Sequence, residues 1–167
     1  MKKLIAMAIA ILITAGITAF ASDKKPGMIS QKQFDYQITF SRIVVADDID
    51  VELKESNNKI IDVSGEEASI ENVNWKIKDD VLYLKSKKGS LKEKVKVTIN
   101  VSGLKELFIK GKSTVRSSGH LSSPDLYVYM EDDCLVSIKN VGQIYVINGY
   151  DTEIDVKKIV GDVRVGR

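Results

Sequence analysis

From Leu107 onward the chain repeats itself with a short period, and no other feature limits its folding choices as strongly. The stretch "LFIKGKSTVRSSGHLSSPD" from Leu107 is followed by "LYVYMEDDCLVSIKNVGQ" from Leu126, by "IYVINGYDTEIDVKKIVGD" from Ile144 and by the partial unit "VRVGR" from Val163, in steps of 19, 18 and 19 residues. The first position of each unit holds Leu107, Leu126, Ile144 and Val163, and two residues on stand Ile109, Val128, Val146 and Val165. Deeper in the units, Val115 aligns with Cys134 and Thr152, Ser117 with Val136 and Ile154, and Gly119 with Ile138 and Val156. Such a period is too short for a propeller blade and suits one coil of a β-solenoid, which buries its apolar face only when neighbouring coils stack on it. Equivalent positions then form parallel ladders spaced about 4.8 Å apart. The partial last unit leaves an open ladder, so association of copies through the solenoid ends is an expectation of this reading.

The first half alternates apolar and polar residues without repeating. "FDYQITF" sets Phe34, Tyr36, Ile38 and Phe40 on one side; "DIDVEL" sets Ile49, Val51 and Leu53 against Asp48, Asp50 and Glu52. "IIDVSG" predicts another short strand, "WKIKDDVLYLKS" a hairpin turning at Asp79-Asp80, and "LKEKVKVTINV" a strand with Val95, Val97, Ile99 and Val101 inward. Only residues 66–74 carry a weak helical signal, and Pro26 and Pro124 fall outside the predicted strands. The expected fold is therefore all-β, a parallel β-solenoid or β-helix-like domain with short coils in the C-terminal half and antiparallel hairpin elements in the N-terminal half.

The order of these elements resembles a known family. Phe40, Ile43 and Val45, then "IDVEL", "VSG", "LYLKS" and the passage "VKVTINVSGLKELFIKG" from Val95 to Gly111, are similar to the secreted GIN head domain, described as a putative auto-transporter adhesin of Bacteroides-like bacteria. The resemblance spans residues 34–167 and implies a solenoid-like domain beyond the inner membrane with an adhesive role. The family's Gly-Ser-Gly turns are replaced here by "GKS", "MEDDC" and "NGYD".

The start of the chain reads as an export signal. Lys2 and Lys3 precede an apolar run of 17 residues, and Ala19-Phe20-Ala21 offers small residues around a cut after Ala21. The expected organisation is a signal peptide over 1–21, a polar leader over 22–33 and a single GIN-like domain over 34–167. A retained single-pass anchor is the alternative for the first segment. The whole chain has 25 Lys and Arg against 23 Asp and Glu; without Lys2 and Lys3 the balance is 23 of each. That neutrality argues against nucleic acid as a partner. The run "KSKKGSLKEKVK", Lys85 to Lys96, reads as a solvated or edge-protecting face, with an anionic glycan or lipid surface as the functional alternative. One cysteine allows no internal disulfide and no cysteine-based zinc site.

No set of residues spells a reaction. "GKST" at Gly111 lacks the first glycine of a phosphate loop, where Glu106 stands instead. His120 is the only histidine, read as an exposed turn residue, and no nucleophile elbow accompanies it. Asp48, Asp50 and Glu52 read as a solvated strand face, being too far apart along a strand to surround one calcium ion unaided. The expectation is a protein with no catalytic residues, no metal and no cofactor. Two weak ligand-binding candidates remain. One is a turn ladder of Lys112, Glu131, Asp132, Tyr150 and Asp151, whose plain reading is a stack of opposite charges. The other is Tyr127 with Tyr145, which share a repeat position and would stack on one face, where they pack on sugar or protein or simply favour strand structure. The function expected is an exported binding or surface-structural protein recognising a glycan or a host or envelope protein. Its rivals are a calcium-dependent polysaccharide-degrading enzyme and a periplasmic envelope subunit or sensor working through a protein partner.

Overall fold

Most of the alternating stretches form strands in the computed structural model, which describes residues 29–87 and 94–148 and the backbone of 163–166. The expected signal peptide, residues 22–28 of the polar leader, Tyr150, Asp151, Thr152, Ile154 and Val156 lie outside the described residues. In chain order the elements are β1 (Ile29–Asp35), β2 (Arg42–Val45), β3 (Ile49–Glu55), β4 (Ile60–Glu66), α1 (Glu67–Ile70), β5 (Val73–Lys78), β6 (Val81–Ser86), β7 (Val95–Val101), β8 (Glu106–Ile109), β9 (Thr114–Leu121), β10 (Asp125–Met130), β11 (Leu135–Asn140), β12 (Gln143–Asn148) and β13 (Val163–Gly166). Among the described residues the fold is all-β apart from the one turn of α1.

Two mixed sheets account for these strands, and neither closes into a barrel. Sheet I runs β1-β4-β7-β3-β9-β11 and sheet II runs β13-β12-β10-β8-β2-β6-β5. Consecutive strand pairs divide between them: β2, β6, β8 and β10 lie in sheet II and are followed by β3, β7, β9 and β11 in sheet I. Within each sheet those strands pair in parallel, whereas β1 and β4 in sheet I and β5 in sheet II pair antiparallel. The pair β2–β3 is inserted between β6–β7 and β8–β9, so order in space departs from order in the chain.

Inward side chains form apolar rows across both sheets. In sheet II, Leu82, Ile43, Leu107, Val128 and Val146 stand in successive register. In sheet I the corresponding row is Val63, Val97, Val51, Val115 and Val136. These rows join one apolar cluster drawn from both sheets. β-Branched residues dominate because their branched side chains suit a pleated surface buried on one face. The predicted hairpin joins β5 to β6, with Asp79 and Asp80 both in the left-handed region at φ of 52° and 64°. Two such residues in succession give the turn whose twist matches that of paired strands. The Asp80 carboxylate accepts the Ser41 N–H at 2.9 Å and so ties this turn to the entry of β2.

Four expectations are corrected. Residues 29–33, read as leader, belong to β1. The predicted strand "FDYQITF" stops at Asp35, because residues 36–41 carry the chain from sheet I to sheet II; Tyr36 and Phe40 are buried there, their rings 5.2 Å apart, while Ile38 is 63% exposed. His120 lies on β9 rather than in a turn, though exposed as expected.

The fourth correction concerns register. Leu126 aligns with Ile144 and Ile144 with Val163, as the repeat predicts. Leu107, however, faces Val128 rather than Leu126, and Val115 faces Val136 rather than Cys134. The cause is a bulge in β9. Arg116 pairs with Ser137 but His120 already pairs with Lys139, so β9 spends two more residues than β11 over the same length. Beyond the bulge, Leu121 faces Asn140 and the 19-residue step is restored. The Ser117 hydroxyl accepts the Lys139 N–H at 2.8 Å and supplies the ladder bond that the bulge removes.

Candidate functional site

The outer faces of the two sheets differ in chemistry. On sheet I, Asp50, Glu52, Lys96 and Arg116 point outward, with Lys96 Nζ 2.9 Å from Glu52 and Lys94 Nζ 3.5 Å from Asp50. Lys94 and Lys96, the end of the basic run, thus meet the acidic strand, taken separately in the sequence, as a solvated face of paired charges. On sheet II the outward positions of adjacent strands carry Tyr83, Val44, Phe108, Tyr129 and Ile147 in one continuous row. All five are only half-buried. Lys76 closes the row at its β5 end, its ammonium 5.2 Å from the centre of the Tyr83 ring.

Parallel register stacks the rings. Phe108 and Tyr129 lie 4.3 Å apart and within 3° of parallel; Tyr127 and Tyr145, in the neighbouring row, lie 4.8 Å apart at 14°. Rings stacked along the ladder cover one another's faces, and what they present outward is ring edges and hydroxyl groups. That surface offers apolar area with a polar rim, the composition of a protein contact patch. The Tyr127–Tyr145 pairing follows the 18-residue step expected from the repeat. Tyr129 faces outward as its alternation with Val128 predicts, whereas Phe108, Tyr83, Val44 and Ile147 were missed as surface residues. A 19-residue step sets Phe108 opposite Tyr127, so only the two-residue offset caused by the β9 bulge brings it to Tyr129.

The turn ladder is arranged differently from its expected form. Glu131 pairs with Lys110 at 2.7 Å, not with Lys112, which is exposed. Asp132 accepts the Gly111 N–H at 3.2 Å. Both contacts obey the 21-residue offset that holds before the bulge. Asp132 adopts φ of 64°, a conformation that Asp tolerates, and thereby turns the chain toward Cys134. Gly111, at φ of 71°, comes so close to Asp47 that an added Cβ would lie 2.9 Å from its carbonyl oxygen. Glu131 and Asp132 thus brace the turn of the preceding unit. Among the described residues, no three His, Cys, Asp or Glu side chains converge as a metal site.

Cys134 points inward, as its repeat position suggests, although the residue it faces is Ser113 rather than Val115. It is buried, with Sγ 4.0 Å from the Ile109 carbonyl oxygen. Burial pushes its thiol above the ordinary value of 9.0, and the charges of Asp132 and Asp133 act in the same direction against two backbone hydrogen bonds that oppose it. A folded pKa raised above the unfolded one means that the stability contributed by the neutral thiol is fully present below the unfolded pKa. It is lost as pH rises through the folded value. Iodoacetamide at pH 8 is expected to alkylate the native protein at least about tenfold more slowly than the chain unfolded in guanidinium, because the thiolate is the reacting species and the native thiol is both protonated and covered. Equal rates in the two states would show that Cys134 is not held this way.

Comparison with known proteins connects this geometry to a family. A family model described as "Putative auto-transporter adhesin, head GIN domain" matches residues 39–159. No curated protein matches the chain by sequence. Among solved structures, a putative adhesin from Parabacteroides distasonis is 18% identical with a TM-score of 0.60, over 73% of this chain and 57% of that one. A putative adhesin from Bacteroides fragilis is also 18% identical with a TM-score of 0.60, over 81% and 61% respectively. A putative lipid binding protein from Parabacteroides distasonis is 13% identical with a TM-score of 0.51, over 83% and 60%. At these identities the likeness concerns the fold alone, and the chain spans about three-fifths of the length of these solved chains. Among the described residues no helix is long and apolar enough to cross a membrane. The family's description is that of a surface adhesin rather than of an enzyme. Because the matched segment runs from before β2 to beyond β12 and its two-sheet fold is shared with the adhesin-named structures, the chain belongs to the auto-transporter adhesin head GIN domain family.

Proposed function

We propose that this protein is a non-catalytic, exported binding domain, adhesin-like in role, that engages a protein ligand through the outer face of sheet II. One observation carries the reading. The row Tyr83, Val44, Phe108, Tyr129 and Ile147 leaves an apolar band half-exposed across five strands, while the outer face of sheet I is charged and internally paired. A soluble surface seldom keeps so continuous an apolar band unless something covers it. A sugar ring needs a free aromatic face to pack on, and the stacking of Phe108 on Tyr129 and of Tyr127 on Tyr145 covers the faces between them. That favours a host or envelope protein over a glycan as the partner. Export is supported by the basic start, the apolar run and the small residues before Ser22. The parallel, in-register strands of the second half support reading them as the coils of a two-sheet solenoid, with β13 leaving an open end.

The test is a binding screen of the purified exported protein against matrix proteins, envelope proteins and glycans, with and without calcium. The expected result is a protein ligand whose affinity falls at least about tenfold in Phe108→Ser/Tyr129→Ser, since residues at the centre of a patch carry most of its binding energy. Circular dichroism should stay native in that variant. A glycan ligand insensitive to these two changes, or calcium-dependent turnover of a polysaccharide, would overturn the reading.

A further inference from the structure

The two sheets part at the end of the stack farthest from the repeat. There β1 is the edge of sheet I and β5 the edge of sheet II, and between them lies a cleft of about 530 Å³. That volume falls within the range of about 300–1,000 Å³ usual for small-molecule sites. Its lining is mixed, and the apolar part is built where Phe34 from β1 meets Trp75 from β5 edge to face, ring centres 5.6 Å apart, with Val63 of β4 and Ile70 of α1 beside them. Trp75 is only partly covered, so its ring borders the opening.

The charges at this cleft are unbalanced. Lys32 sits on the same side of β1 as Phe34, opposite the buried Val63, which is the inward side of the strand. No ion pair joins it to a described carboxylate. Lys87 reaches the rim from the end of β6 and donates from Nζ to the Glu71 carbonyl oxygen at 2.9 Å, a bond that orients the ammonium without neutralising it. Among the described residues the only acid lining the cleft is Glu71. Among the described residues, two cations and one anion therefore border the apolar patch of Phe34, Ile70 and Trp75.

We propose that this cleft binds a single-tailed anionic amphiphile of the fatty-acid class, its alkyl chain against Phe34, Ile70 and Trp75 and its carboxylate at Lys32 and Lys87. An apolar patch beside a few placed polar groups suits such a ligand, the patch supplying affinity and the cations fixing orientation. Lys32 also has a purely protective reading, since an inward charge on an edge strand deters strand addition. The two roles predict different results.

Trp75 is the only tryptophan, so its fluorescence reports on the cleft directly. The purified full chain is titrated with dodecanoate below its micelle threshold, and in parallel with dodecyltrimethylammonium, which carries the same tail and the opposite charge. Dodecanoate should produce a saturable change with one molecule bound per chain, and the cationic amphiphile should bind at least about tenfold more weakly. Lys32→Gln/Lys87→Gln should weaken dodecanoate binding about tenfold, as expected for loss of charge-assisted bonds. No saturation, equal binding of the two amphiphiles, or unchanged dodecanoate binding in the lysine variant would each overturn the proposal. Should Lys32→Gln self-associate in light scattering while binding dodecanoate normally, Lys32 guards the edge and the proposal falls.

Discussion

Leu107→Ala is expected to lower the unfolding free energy by about 3–5 kcal/mol, the upper part of the range for truncating a core leucine. Leu107 has no exposed surface and stands at the middle of the inner row of sheet II, between Ile43 on one side and Val128 on the other. Strands β2, β8 and β10 are held parallel on both sides of it, so the walls of the resulting cavity have little room to collapse. The neighbouring β-branched side chains are stiff and fill the space poorly by changing rotamer. Urea unfolding followed by circular dichroism measures the effect. A loss under about 1 kcal/mol would mean that the two sheets relax toward each other at this point. A leucine at the rim, such as Leu135 at 53% exposure, should cost far less when truncated, and the contrast between the two isolates burial as the cause.

The second large effect is polar. Asn140→Ala is expected to cost about 2–4 kcal/mol, because it strands buried backbone groups that nothing else can reach. Asn140 is 2% exposed. Its side-chain oxygen accepts the Ser123 N–H at 3.1 Å, and its amide nitrogen donates to the Ser123 carbonyl at 2.8 Å and to the Gln143 carbonyl at 3.3 Å. Ser123 in turn donates from its hydroxyl to the Leu104 carbonyl. One corner thus links the segments that precede β8, β10 and β12. Close approach of the chain tightens it further: a side chain on Gly142 would overlap the carbonyl oxygens of Ser123 and Pro124. Asn140→Asp discriminates between a packing and a hydrogen-bonding origin. It keeps the volume but replaces the amide donors by a carboxylate facing two carbonyl oxygens, and it should be at least as destabilising as alanine. An aspartate variant as stable as the wild type would refute the hydrogen-bond account.

The residues differ in how far their roles could be read in advance. Ile49, Val51, Leu53, Val95, Val97 and Ile99 are all buried, as their alternation with charged residues requires. The turn at Asp79-Asp80 was legible because paired aspartates flanked by alternating strands leave few other options. Cys134 was legible as an inward filler from its repeat position, and the same repeat alignment separates it from Glu131 and Asp132, which fall in the polar turn. The family resemblance, resting on the passage from Val95 to Gly111, agrees with the family match over 39–159. Lys110 as the partner of Glu131 was not legible, because it depends on the bulge at Ser117–Gly119. The Phe34–Trp75 cleft was not legible either. Its two walls lie on strands that never pair, and they meet only because both strands end their sheets on the same side.

A strand's side chains alternate because the extended backbone turns each residue opposite to the last, a property of two neighbours and therefore written in local sequence. From that alone follow the all-β composition, the inward faces, the short repeat and the 18- and 19-residue registers of the last units. Slipping one strand past another by two residues leaves every side chain on its original face. The pattern is blind to such a slip, and the core accepts either register so long as its rows remain apolar. The two-residue offset between the first units, the insertion of β2–β3 between β6–β7 and β8–β9, and hence the continuous aromatic row on sheet II were decided by packing across the whole molecule.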